Sequence, residues 1–504
     1  MVARVLLDLN PTAADPESTK KKRKKKPQFS SRCLLTCLIC SLQVDEGADL
    51  LHGFLQWCDT VGLHLSEKVC VSKEGTVADY GMLAKEDIEE GEVLFTIPRS
   101  ALLYQRTTAV SALLEKEAGS LQSSSSWVPL LLALLHEYTS PESRWKPYLS
   151  LWPDFRKLDH PMFWSKDERD ELLRGTGVPE AVDKDLSNIQ REYEDVVRPF
   201  IIRHPDLWNP KTHTLELYTE LVCSASGYNR VTGCKVHHRA TRCYGTPFPP
   251  KERPLRMDED EEDKPPNPPM MVPMADILNH VCNHNANLEF SADSLKMVSV
   301  RCIRAGEEVF NTYGQMANWQ LLHMYGFTEP YPSNKNDTAD VPAANVYKAA
   351  VQVARSDSER ALMEERWETL SEMMQDGGAF IFNEHGCLTD SELHTALKVF
   401  CMSEEEFSNF KDNEGWEEDD EDEEQISQAF SNDGLPGLKP SWKRLIHEAA
   451  RRTLQSYGDG EDRDRVLMKD DEALKGLNSR QQRALQVRFG QRRILCRLME
   501  LTES

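Results

Sequence analysis

Two β-rich stretches, Val69–Pro98 and Met271–Tyr331, stand far apart in this chain, and most of what lies between them reads as helix. A short strand leaves rows of backbone N–H and C=O groups unpaired until other strands cover them, and isolated hairpins are marginal in water. The two stretches are therefore expected to pair into one domain, interrupted by a helical insert. The first contains Val69–Ser72, Thr76–Ala84 and Glu92–Pro98, broken at Gly75, Gly81 and Gly91. The second contains LEFSA, LKMVSVRCI and EEVFNTY. The insert, about 107–222, carries the apolar run WVPLLLALLHEY and a mixed charged and apolar pattern near Arg191–Ile201. Residues 223–269 lose that periodicity, and the acidic, Pro-rich piece at 258–269 reads as an exposed loop.

From about Ala344 the pattern is helical again. Thr389 and Glu392 have capping-box spacing ahead of Leu393, Ala396, Leu397 and Phe400. Trp442, Leu445, Ile446, Ala449 and Tyr457 share one helix face, as do Ala484, Val487, Ile494 and Leu498. Glu417–Glu424 is an unbroken acidic run, read as a solvated loop. The expected plan is α+β: a basic, disordered tail at 1–46, an interrupted β-rich domain at 47–343 and an all-helical domain at 344–504.

Charge narrows the function. The formal net charge is −23, which opposes nonspecific binding to nucleic acid and favours a basic partner, such as a lysine-rich protein tail. No run approaches the roughly 18–20 apolar residues that span a bilayer. Thirteen thinly spread cysteines read as reduced intracellular thiols, not as a disulfide framework. Lys20–Lys26, KKKRKKK, fits a nuclear import signal, and otherwise is a solvated charge run. Cys33, Cys37 and Cys40 lack a fourth ligand at zinc spacing.

There is no GxxxxGK[ST] loop, GxSxG elbow, HExxH or strand-borne GxGxxG, which opposes an NTPase, an α/β-hydrolase, a zincin and a Rossmann dehydrogenase. Three pieces remain: the turn Ala78-Asp79-Tyr80-Gly81, Met274–Phe290 with Asn279 beside His280, and Glu307–Phe327 with Tyr313 and Tyr325. Singly, each has a structural explanation: a turn glycine, a satisfied polar pair, a packed aromatic ring.

In this order they resemble the SET-domain protein-lysine methyltransferases. Asp79-Tyr80-Gly81 resembles that family's first cofactor loop, Leu278-Asn279-His280 its Asn-His motif, and Glu308-Val309-Phe310-Asn311-Thr312-Tyr313-Gly314 its catalytic-tyrosine motif. The insert and the helical C-terminal part are similar to the Rubisco large-subunit methyltransferase subgroup. The likeness covers roughly residues 47–222 and 270–504. It implies a SET fold and methyl transfer from S-adenosylmethionine to lysines of nuclear proteins, histone or non-histone, with no metal. By motif position, Ala78, Asp79 and Tyr80 contact the cofactor through backbone, Asn279 and His280 hold its amino-acid and adenosine parts, and Tyr325 packs near the adenine. Tyr313 is the catalytic tyrosine, and Trp127 either lines the substrate side or anchors a core. The C-terminal helical domain holds the substrate protein.

The chain departs from the family after Val222, where an apolar helix is expected and CSASGYNRVTGC stands instead. Tyr228 keeps the spacing of the family's cofactor tyrosine and is carried over, while Asn229 is not. Cys223, Cys234, His237, His238 and Cys243 match no metal-finger spacing. Were the helix missing, the chain would be a catalytically impaired nuclear binding protein. A third reading keeps the fold but methylates histidine.

Overall fold

The computed structural model describes residues 46–228 and 269–503, apart from 124, 153–154, 156–158, 375–377 and 413–422. The Lys20–Lys26 run, the three cysteines at 33–40 and the Cys234–Cys243 group lie outside the described residues. By contacts the chain divides into two units, Met1–His52 and Gly53–Ser504, and the second holds both β-rich stretches and the helical parts after them.

The two β-rich stretches pair. Strands β1 (His64–Leu65), β2 (Val69–Ser72), β3 (Gly81–Ala84) and β4 (Val93–Pro98) come from the first. Strands β5 (Ala286–Phe290), β6 (Ser294–Ser299) and β7 (Glu308–Val309) come from the second. One antiparallel sheet has the order β1-β4-β6-β5, with Phe95 opposite Met297 and Ile97 opposite Leu295. The other has the order β2-β3-β7, with Met82 opposite Val309 and Leu83 opposite Glu308. Met82, Ile97, Leu295, Met297 and Val309 have no exposed surface, so burial of these rows fixes the register. Strand β3 is shorter than the stretch from Thr76: residues 77–80 form an exposed turn.

The insert's helix α1 (Val128–Thr139) is apolar almost all round, and Val128 and Leu130–Leu135 are buried. It packs on α2 (Leu215–Tyr228). This corrects the sequence reading, which ended the helical insert at Val222. The helix continues because Cys223, Ser224 and Ala225 are small and buried, so close packing replaces the large apolar side chains that periodicity detects.

The C-terminal part corrects the all-helical expectation: β8 (Ala339–Pro342) pairs antiparallel with β9 (Ala379–Phe382), whose Phe380 and Phe382 are buried, and helices pack around the pair. Thr389 does precede the helix Asp390–Cys401, but it makes no capping box: its hydroxyl accepts from the Ile381 N–H at 3.0 Å. Glu423 and Glu424 open a helix, Glu423–Ala429, where the whole acidic run was expected to be loop. The face of α3 (Pro440–Ser456) that carries Trp442, Leu445, Ile446 and Ala449 is buried. The last helix, α4 (Ser479–Leu501), serves two cores. Ala484 and Val487 pack with Trp164, Val182 and Trp319, while Leu495 and Leu498 pack with Trp442 and Leu445.

Candidate functional site

The three motifs converge. The turn before β3 closes on itself through Thr76, whose hydroxyl donates to the Ala78 carbonyl at 2.9 Å. Lys73 pairs with Asp79 at 3.0 Å and lies 4.2 Å from the centre of the Tyr80 ring. Ala78 and Asp79 are exposed and Tyr80 is half-buried, so this turn faces solvent. Gly81 has a steric reason to be glycine. A Cβ there would stand 2.5 Å from Glu308 Oε1 and 2.6 Å from Thr76 Cγ2.

Glu308, which the sequence reading placed in the catalytic-tyrosine motif without a role of its own, is the hub. Its Oε2 accepts from the Val77 N–H at 2.8 Å, and its Oε1 accepts from Asn279 Nδ2 at 2.7 Å. Burial pushes the Glu308 carboxyl above the ordinary glutamate range, against the pull of the Asn279 and Val77 donors. The available signal was an acidic residue opening the short strand that leads into the tyrosine motif. Asn279 Nδ2 also donates to the Tyr80 carbonyl at 3.1 Å, tying the Asn-His motif to the first turn.

His280 is buried, and its role in the structure is to hold Tyr313. Its Nδ1 accepts from the Tyr313 N–H at 3.0 Å, which leaves the ring proton on Nε2 when the ring is neutral. Nε2 lies 3.4 Å from Glu329 Oε1 without a hydrogen bond. The Tyr313 hydroxyl donates to the Leu278 carbonyl at 3.0 Å. Its ring meets those of His280, Tyr325 and Phe327, with centroids 4.6, 5.1 and 6.0 Å away. Tyr325 ends the helix Asn318–Tyr325, which Gly326 closes in the left-handed conformation with φ 73°.

Thus Ala78–Tyr80, Asn279, His280, Tyr313 and Tyr325 form one connected site. Tyr228 ends α2, and α2 packs on the helix Asn318–Tyr325. Trp127 stands half-buried at the start of α1, its backbone N–H donating to Ser125 Oγ at 3.2 Å. Among the described residues no hydrogen bond or ring contact joins it to the site. Nor, among them, does any group of three or more His, Cys, Asp or Glu have the arrangement of a metal centre.

Comparison with known proteins agrees with this geometry. Residues 79–314 match the SET domain, and residues 357–495 match the Rubisco LSMT substrate-binding domain. An N-lysine methyltransferase setd6 from Salmo salar is 62% identical over 91% of this chain and 98% of its own length. This chain belongs to the SET-domain N-lysine methyltransferase family. A human member, N-lysine methyltransferase SETD6, is 46% identical over 91% of this chain and 97% of its own. The SET domain of LSMT bound to lysine and AdoHcy shares the fold, with TM-score 0.58 and 18% identity over 90% of this chain and 91% of that one. Rubisco LSMT bound to AdoMet gives TM-score 0.57 at 18% identity, with the same coverage.

The site fits the cofactor of this family. S-adenosylmethionine has a zwitterionic head, a sulfonium and an adenine ring. The exposed turn Ala78–Asp79 is a place where the first could sit, and the faces of Tyr313, Tyr325 and Phe327 suit a cationic sulfur.

Proposed function

We propose that this protein transfers methyl groups from S-adenosylmethionine to the ε-amine of lysine in nuclear proteins, histone or non-histone. The observation that carries the reaction is the buried Tyr313 hydroxyl, held at the Leu278 carbonyl inside an aromatic enclosure that Asn279 links to the first turn. S-adenosylmethionine supplies an electrophilic methyl on a sulfonium. Everything else is asked of the chain. Lysine is cationic in water, with a pKa near 10.4. An apolar enclosure disfavours the charged amine, so on entering it the amine gives its proton to solvent before transfer. The Tyr313 oxygen then orients the amine lone pair, and the surrounding rings exclude water. Holding the amine in line supplies much of the rate by positioning. Tyr325 and Tyr228 border the cofactor, and the helical domain from Ala344 holds the substrate protein.

The nuclear part of this reading is supported by the Lys20–Lys26 run and by the net charge of −23, which suits lysine-rich partners. Calorimetric titration of S-adenosylmethionine tests the site: saturable one-to-one binding is expected, and none at millimolar cofactor would leave a binding protein without activity. Replacing the lysines of 20–26 by alanine should shift the protein to the cytoplasm. An unchanged distribution would make that run a solvated tail.

A further inference from the structure

The turn that delivers Leu278, Asn279 and His280 is itself held from the helical insert. We infer that Tyr148 and Asp276 form a positioning pair for methyl transfer: they fix the Leu278 carbonyl and, through it, the Tyr313 hydroxyl. The inference rests on Tyr313 being the catalytic tyrosine.

Tyr148 belongs to the short insert helix Lys146–Leu149, and Asp276 to the 3-10 turn Ala275–Ile277. The Tyr148 hydroxyl donates to Asp276 Oδ2 at 2.6 Å, and the same oxygen accepts from the Val272 N–H at 3.0 Å. In return the Asp276 N–H donates to the Val272 carbonyl at 3.1 Å. The two residues are only 2% and 3% exposed. A carboxylate at this depth costs free energy unless donors surround it, so packing alone does not explain it.

The clamp encloses a strained residue. Met274 has φ 74° and ψ −47°, the one non-glycine residue with positive φ among those described, and its side chain is fully buried. Such a conformation persists only where its surroundings over-determine it. Asp276 supplies that constraint by closing the chain onto Val272 on the other side of Met274. The turn then continues with Ile277 N–H to the Met274 carbonyl and Leu278 N–H to the Ala275 carbonyl, both at 3.2 Å. The next group along is the Leu278 carbonyl, which receives the Tyr313 hydroxyl. Releasing the clamp lets the turn relax and the hydroxyl pivot. The first turn keeps its own link to Glu308 through Val77, so cofactor binding is affected less than turnover.

The test is a double-mutant cycle of Tyr148→Phe with Tyr313→Phe, reading kcat and the cofactor KM separately. Tyr148→Phe should lower kcat about tenfold, the scale of a small misplacement of a positioned group, and move the cofactor KM less than about twofold. In the Tyr313→Phe background it should cost nothing further, because the group it positions is gone. Asp276→Ala should reproduce the effect, and Asp276→Asn, which keeps an acceptor oxygen for Tyr148 and Val272, should recover part of kcat. Full losses in both backgrounds, or an unchanged kcat in Tyr148→Phe, would overturn the inference. If Tyr313→Phe alone keeps full turnover, the catalytic role of Tyr313 fails instead.

Discussion

Glu308 illustrates what a single side chain does in this site: one carboxylate joins the first turn at Val77 to the Asn-His motif at Asn279. Gly81→Ala tests how tight that junction is. Its Cβ would intrude on Glu308 Oε1 and Thr76, so the turn must move. The expected cost is about 1–3 kcal/mol of stability, with weakened cofactor affinity. Unchanged affinity by calorimetry would show that the turn gives way freely. A second carboxyl makes a pH prediction. Asp340 on β8 has its Oδ1 shut off from water without a hydrogen-bond partner, and burial raises its pKa from 3.8 to about 6. Because the folded value lies above the unfolded one, the group is harmless below about pH 4 and exacts its full penalty above about pH 6. Asp340→Asn should therefore raise the unfolding midpoint at pH 7.5, a gain of about 1–3 kcal/mol that fades as the pH falls toward 4. A gain independent of pH would contradict the assignment. The Asn279, His280 and Tyr313 motifs were legible in the sequence because they lie in short contiguous pieces. Their partners were not: Glu308 and the Leu278 carbonyl acquire meaning only when the fold brings β3 to β7 and the turn to Tyr313.

At the scale of elements, sequence patterns worked where side chains are large and failed where they are small. The rows of β4 and β6 and the buried face of α3 follow from apolar spacing. Helix α2 does not beyond Val222, since Cys223, Ser224 and Ala225 bury little surface, yet it runs to Tyr228. The helix that the impaired-protein reading took to be missing is present that far. Thr389 shows a different limit: its spacing suited a capping box, but tertiary contact with β9 claimed its hydroxyl. A buried polar device joins the helix Glu461–Leu467 to α4. Asp464 pairs with Arg488 and with Arg492, each at 2.9 Å, in a buried setting. Asp464→Ala leaves two guanidinium groups without their carboxylate and should cost about 3–5 kcal/mol in denaturant unfolding. A loss under about 1 kcal/mol would mean that the pair is solvent-screened in practice.

Across the whole molecule, the pairing of the two β-rich stretches followed from the need to cover strand edges, but the reach of α4 did not. One helix face completes the core of the insert through Ala484 and Val487, and further along it completes the C-terminal core through Leu495 and Leu498. Arg483 adds an ion pair to Asp159 of the insert at 2.6 Å. A chain ending at Asn478 should therefore lose the SET region's fold as well, seen as exposure of Trp164 and Trp319 in fluorescence. A truncated chain that still binds cofactor would show that the two cores are independent. The folded unit as a whole moves a methyl group onto lysine, and the proposed mechanism puts Tyr313 at that step. Fragmentation mass spectrometry of protein acceptors, incubated with isotopically labelled S-adenosylmethionine and the enzyme, reads that transfer itself, with Tyr313→Phe in parallel. Label is expected on lysine side chains with the native enzyme, and little with the folded variant. Label on histidine, or equal labelling by the variant, would contradict it.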